Sequence, residues 1–193
     1  MNALMPVVCS SMNRFHCPAI VFLTISLLLA SCGAAPYECT DPLGCLEISS
    51  GSPLVIGTLL ATYGEQNPVG IKSLASVEKA VADQDELLGH PIQLIRIGTD
   101  CTSDSARSAA TEFATNPDLS AVIGPTCAGE ADVAGPILLD AGIPLLGPVP
   151  DPVVAFELTN QVFAALQQVA VQAQDKILYI PRQALLDALH LSP

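Results

Sequence analysis

Seven cysteines in a chain of 193 residues are the side chains with the widest choice of chemistry. They can pair, hold a metal as thiolates or act as nucleophiles, and their spacing and compartment decide which. No CxxC occurs and no histidine stands near Cys39, Cys45, Cys101 or Cys127, so the spacing of a zinc site is missing. Asp100 and Asp104, beside Ser103 and Ser105, suggest a cation at first sight, but the same residue types cap a helix. Asp83, Asp85 and Glu86 read as a solvated helix end, and His90 and His190 as solvated surface residues. There is no GxSxG, no histidine poised near a serine or cysteine, and no GxGxxG or P-loop glycine pattern. The chain is therefore not read as an enzyme, and neither a cofactor nor a metal is expected.

Seven basic residues stand against 19 acidic, a net charge of −12. That balance excludes nucleic acid as a partner, because phosphate binding runs on a surplus of Lys and Arg. Half the residues are apolar and the mean hydropathy is +0.49, so a core and a membrane-directed stretch are both expected. The stretch is Val21 to Ala30, VFLTISLLLA, preceded by Arg14 and His16. Ten residues are too few to span a bilayer, which needs about 20, and fit the apolar region of a secretory signal. Leu29-Ala30-Ser31-Cys32 follows and resembles the bacterial lipobox, in which small residues fit the protease cleft and the cysteine thiol takes lipid. Residues 1–31 thus read as a lipoprotein signal peptide starting at Met1 or Met12, with Cys32 as the lipidated first mature residue. An ordinary signal peptide or an uncut signal anchor are the alternatives. Cleavage removes Arg14 and leaves 162 residues with 6 basic and 19 acidic side chains, net −13. The mature chain is expected to be extracytoplasmic and lipid-anchored, in an oxidising space. There the four remaining cysteines suggest two pairs by spacing, Cys39–Cys45 and Cys101–Cys127.

The elements that must position these residues alternate. Residues 32–53 are rich in Gly, Ser, Pro and acids and read as a tether, pinned by the loop CTDPLGC. Leu54 to Leu60 is a continuous apolar run suited to a strand buried on both faces. Val69 to Leu87 reads as a helix, Ile92 to Ile97 as a strand, and Ser103 as the cap of a helix with Ala106, Ala109, Ala110 and Phe113 on its apolar face. Ala121 to Ile123 is a third strand, Glu130 to Ala141 a helix carrying Pro136, and Pro144 to Gly147 a fourth strand. This is the β-α-β-α-β-α-β pattern of an α/β, doubly wound parallel sheet, assigned to residues 54–152. Residues 153–193 add a long amphipathic helix, Val153 to Gln172, a short strand, Lys176 to Ile180, and a last helix, Arg182 to Leu189. Ligands gather at the carboxyl ends of the strands in such sheets. Those ends supply Tyr63, Gly64, Thr126, Ala128, Gly129, Val149 and Asp151 as candidate binding residues.

The segments VIGTLLATYGEQNPVG, LLGHPIQLIRIGTDCTSDSA and AVIGPTCAGEADVAGPILLDAGIPLLGP resemble the first lobe of the branched-chain amino-acid (Leu/Ile/Val) binding proteins. These are type I periplasmic receptors that feed ABC transporters. The resemblance covers about Leu54 to Pro148. It implies a Cys101–Cys127 disulfide, an amino acid as ligand and a transporter permease as partner. Residues 153–193 are similar to the segment that returns to lobe one, so lobe two is expected to be missing. In the family, a serine just after the second cysteine and a hydroxyl after the fourth strand hold the ligand's α-carboxylate; here Ala128 and Val149 to Asp151 stand at those places. Glu130 and Asp151 are expected to repel a carboxylate ligand. The expectation is a solute-binding lipoprotein with reduced or lost ligand binding; the alternative is an exported interaction or structural module, or a truncated remnant of such a receptor.

The lipobox reading makes a direct prediction. Labelled palmitate fed to expressing cells is incorporated into the wild-type chain and not into Cys32→Ala.

Overall fold

The computed structural model describes residues 37–173 and 176–191. The apolar run 21–30 and Cys32 lie outside the described residues, as do the proposed cleavage and lipidation. Among the described residues, no helix is long and apolar enough to cross a membrane.

The centre of the molecule is the strand Leu54–Ala61 (β2), in which all eight residues are buried. Alternate side chains feed two separate cores. Leu54, Ile56 and Leu60 enter one, Val55 and Leu59 the other. This is why the run is continuously apolar rather than alternating. His90–Thr99 (β4) lies parallel to β2 on one side, from Leu54 opposite Ile92 to Ala61 opposite Thr99. Leu119–Ile123 (β5) lies parallel on the other side and pairs in turn with Leu145–Leu146 (β6). Glu86–Leu87 (β3) adds an antiparallel edge to β4, giving the order β3-β4-β2-β5-β6.

The helices cover both faces. Asn67–Gln84 (α1) buries Gly70, Ser73, Val77 and Ala80, a spacing that repeats every helical turn. Gly70 has no alternative, because a Cβ there would strike the Ala61 backbone. Ser103–Ala114 (α2) buries Ala106, Ala109, Ala110 and Phe113, the face read from the sequence. Ala128–Asp140 (α3) runs through Pro136 and packs beside α2. Pro152–Val169 (α4) packs beside α1 on the opposite face. The doubly wound α/β sheet is therefore the observed fold.

Several elements differ from expectation. The helix expected to run to Leu87 stops at Gln84, because Asp85 leaves the helical region at φ 58°; further on, Leu88 and Gly89 are adjacent residues of positive φ (57° and 81°). Two such residues make the tight turn of a hairpin, so Glu86–Leu87 becomes β3 and Leu87 is fully buried. Thr102, not Ser103, caps α2, its hydroxyl accepting the Ser105 N–H. His90 is not a surface residue. It is 2% exposed, and its Nδ1 donates to the Ser52 carbonyl at 2.9 Å. The long helix ends at Val169, and Val171–Gln172 forms a short strand (β7) instead.

The largest correction concerns the tether. Within residues 32–53, Cys45–Ile48 is a strand (β1) antiparallel to Leu178–Pro181 (β8), which also pairs with β7. Leu46 and Ile48 enter the core that holds Leu54, Val162, Leu166 and Leu185. The pattern Leu46–Glu47–Ile48 is the half-buried alternation of a strand, outweighing the polar composition around it. The same core draws Phe163, Leu178 and Ile180 from beyond residue 152, so no break in packing falls at that position.

A cap clamps this layer. Arg182–Ala188 (α5) begins after Pro181, which offers no side-chain acceptor. Asp41 supplies one from the opposite end of the chain. Its Oδ1 accepts from Gln183 N–H at 3.0 Å and Leu43 N–H at 2.9 Å, and its Oδ2 accepts from Ala184 N–H at 3.2 Å. Gly44 carbonyl takes the Arg182 N–H at 3.0 Å, and the Cys39–Cys45 disulfide closes the loop that carries Asp41. Asp41→Ala is expected to lower stability by about 1–2 kcal/mol, the usual cost of a lost cap, read by denaturant unfolding. Asp41→Asn, which keeps one acceptor oxygen, is expected to lose less.

Candidate functional site

The parallel strands have the chain order β4-β2-β5-β6, so the connections reverse between β2 and β5. A crevice opens outside the strand ends at such a switch point. Here Thr126 spans it. Its buried Oγ1 accepts the Ala61 N–H at 2.9 Å and locks the end of β2 to the loop after β5. On the other side, Thr62 and Tyr63 N–H groups both donate to the Thr99 carbonyl at 3.2 and 3.3 Å. Gly64 turns the chain away with φ 76°, and Asp100 Cβ lies 3.2 Å from where a Gly64 side chain would begin. Tyr63 is left 48% exposed above the rim.

The acidic and hydroxyl cluster after β4 forms a cap. Asp100 Oδ1 accepts from the Thr102 hydroxyl at 2.6 Å and the Thr102 N–H at 3.2 Å. The Ser105 hydroxyl donates to the Thr102 carbonyl at 3.0 Å. The Thr102 hydroxyl, with Ser105 adding, holds the Asp100 carboxyl below its ordinary range, because these bonds favour the charged form. Cys101, between them, sits at φ 67° and is bonded to Cys127, with the Cα atoms 5.5 Å apart. The Cys101–Cys127 and Cys39–Cys45 pairs are both at bonding distance, as spacing suggested.

Cys127 begins α3 without a side-chain cap, and Ala128 and Gly129 are exposed in its first turn. The N–H groups of a first turn have no intrahelical acceptor and carry the positive end of the helix dipole. Val149 is different. It is fully buried, belongs to the core, and its N–H donates to the Pro125 carbonyl at 2.7 Å. Asp151 caps α4, its Oδ1 accepting from Val153 and Val154 N–H at 2.8 and 3.0 Å. The rim therefore presents Tyr63, Gly64, Ala128 and Gly129, while Thr126, Val149 and Asp151 support it from below or beside.

Glu130 corrects a second expectation. Its carboxyl is not displayed to a ligand but is fully buried, and neither oxygen has a hydrogen-bond partner among the described residues. Burial pushes the carboxyl above its ordinary range, and the Asp100 charge adds to the rise. The nearby Thr99 hydroxyl and the Cys127 and Cys101 backbone oppose it. Sequence position alone concealed this, since an acid in a first turn is ordinarily solvated beside the dipole.

A cavity of about 200 Å³ opens separately on β6, lined by Ala131, Leu139, Ile143, Leu145, Leu186 and Leu191. It shares no residue with the rim.

The raised Glu130 carboxyl sets a sign for stability against pH. Below the ordinary value of 4.5, both folded and unfolded chains hold the proton and the group contributes nothing. Above it the unfolded chain ionises first, so stability falls until the folded carboxyl ionises too. Thermal unfolding of wild type and Glu130→Gln, with disulfides intact, is expected to show a stability difference that moves in favour of the Gln variant as pH rises from about 4. A difference independent of pH would contradict this.

Residues 74–176, just over half the chain, match the family model described as the receptor family ligand binding region. No curated protein matches. Among solved structures, the chain is similar to the branched-chain amino-acid transporter substrate-binding protein LivJ from Streptococcus pneumoniae, in complex with isoleucine. The identity is 24% over 49% of this chain and 28% of that one, with a TM-score of 0.47. It is similar to the leucine-binding protein LivK from Thermotoga maritima, at 20% identity over 48% of this chain and 26% of that one, TM-score 0.46. A third is a putative branched-chain amino-acid ABC transporter protein from Rhodospirillum rubrum, at 18% identity, 72% and 47% coverage and a TM-score of 0.48. The chain spans about a quarter of the length of the first two and under half of the third. The chain belongs to the receptor family ligand binding region, and its described residues include the doubly wound α/β sheet.

Proposed function

We propose that the chain is an extracytoplasmic solute-binding lipoprotein related to the amino-acid receptors of ABC transporters, with weak or lost ligand binding. The observation that carries the reading is the rim itself. Tyr63 follows the carboxyl end of β2, and the exposed first turn of α3, at Ala128 and Gly129, follows that of its neighbour β5, on either side of the switch point. Backbone N–H groups at a helix N-terminus suit an anionic group such as a carboxylate, and the Tyr63 ring suits an apolar side chain. Two disulfides fit an oxidising compartment.

Weak binding follows from what the rim does not offer. Ala128 has no hydroxyl, Val149 turns into the core, and the Val153 and Val154 N–H groups at the start of α4 already donate to Asp151 Oδ1. A ligand held at these exposed residues keeps a side open to water, where polar contacts are weaker than in an enclosed site. Each lost charge-assisted hydrogen bond removes about 1.5–3 kcal/mol, so losing two or three weakens binding about a thousandfold or more. The same features support the second reading, an exported interaction module or receptor remnant that keeps the lobe without the ligand chemistry.

Calorimetry of the mature chain with leucine, isoleucine and valine separates these. Millimolar affinity supports a weak receptor lobe, and no heat supports the interaction module. Micromolar affinity would overturn the argument from missing contacts.

A further inference from the structure

The cavity on β6 has three walls: α3, β6 itself, and α5 with the turn that follows it. Leu139, Ile143, Leu186 and Leu191 give it an apolar lining, and none of its lining residues carries a charge. On the α3 side the space is open, since a Cβ at Gly135 would meet nothing beyond its own helix and chain neighbours within 4 Å. The volume of about 200 Å³ decides the size of an occupant. An apolar cavity of about 150 Å³ already holds benzene, whereas larger ligands take sites of about 300–1,000 Å³. One wall is also polar. β6 is the edge of its sheet and pairs with β5 alone. The Val122 N–H donates to the Pro144 carbonyl at 2.8 Å, and the Gly124 N–H to the Leu146 carbonyl at 2.9 Å. Alternate residues of a strand turn to opposite edges, so Leu145, between those two, turns its N–H and C=O away from β5. Among the described residues neither group has a hydrogen-bond partner, although both are strong hydrogen-bonding groups.

We propose that this cavity binds a small neutral molecule with an apolar body the size of one ring and an amide head, the head pairing with the Leu145 N–H and C=O. The body replaces water against Leu139, Ile143, Leu186 and Leu191, which is favourable in proportion to the apolar area covered. An amide carries both an acceptor and a donor. It therefore accepts from the Leu145 N–H and donates to the Leu145 C=O, the exchange that two facing antiparallel residues make. A charged head is excluded, because no lining residue offers a counter-charge and desolvating an unpaired ion is costly. A body with no head is disfavoured too, since it shuts water away from two backbone groups and gives them nothing in return. The cavity shares no residue with the rim, so the inference stands apart from the solute binding proposed there.

Benzamide is the probe, with benzoate and toluene as its charged and headless counterparts. Each is titrated into the full chain with disulfides intact, read by backbone amide NMR and by the thermal midpoint. Benzamide is expected to shift the Leu145 amide resonance and to raise the midpoint with concentration, while benzoate and toluene bind at least tenfold more weakly. Ala131→Leu, which fills the cavity from α3, is expected to abolish the Leu145 shift, and Gly135→Ala to weaken benzamide about threefold or more. Two variants on one wall, each checked for folding by its remaining amide resonances, keep the test decisive if one fails to fold. The proposal is overturned by a Leu145 resonance that does not move, or by shifts confined to Ala128 and Gly129. Benzoate or toluene binding as tightly as benzamide overturns it as well, as does benzamide binding unchanged in either folded variant.

Discussion

The burial of β2 on both faces is the constraint from which the rest follows. A strand with eight buried residues cannot lie at the surface, so β4 and β5 must flank it and helices must cover each side. The parity of the strand then assigns every helix. Leu54, Ile56 and Leu60 meet α1 and α4, while Val55 and Leu59 meet α2 and α3. Because the connections leave β2 and β5 toward opposite faces, their carboxyl ends separate and a crevice forms there. The candidate site is thus a consequence of the core and needs no residue chosen for ligand alone.

The polar groups at the rim show how tightly such a crevice is held. Thr126, Asp100, Thr102 and Asp151 all direct their oxygens at backbone N–H or hydroxyl donors. Each would look, by type, like a candidate ligand contact. Each is instead occupied in fixing a loop or a helix end. What remains free is backbone, at the first turn of α3, together with the half-exposed Tyr63 ring. Glu130 departs from this economy, since its carboxyl is buried beside a disulfide with no hydrogen-bond partner within contact geometry among the described residues. The structure tolerates it by favouring the neutral acid.

A second layer ties the chain's ends together. β1 and β8 pair antiparallel, the Tyr37 and Tyr179 rings meet at a 41° tilt with centroids 4.7 Å apart, and Asp41 caps α5 across 142 residues of sequence. Arg182, at the start of that helix, donates to the Pro117 carbonyl at 2.8 Å and so anchors the layer to the main sheet. Segments before and after the alternating core are therefore parts of one packed body.

The order and type of the main elements were legible in sequence because local pattern sets them. A continuous apolar run of strand length between turn residues suits a buried strand, and Ala106, Ala109, Ala110 and Phe113 share a face at helical spacing. Cysteine parity and spacing likewise indicated both disulfides. Tertiary structure decided what local pattern cannot carry. Residues 86–87 became a strand because two left-handed residues follow them, a choice of backbone rather than of hydrophobicity. Residues 45–48 became a strand because a partner 130 positions later presents the complementary edge. Among the candidate residues, Ala128, Gly129 and Tyr63 are exposed, while Val149 is core and Asp151 a cap. His90 was read as solvated and Glu130 as repelling a carboxylate ligand, yet both are buried, because burial of a polar residue depends on which distant elements close over it. Sequence determines which residues can share a face; only the packed sheet determines which of them still see water.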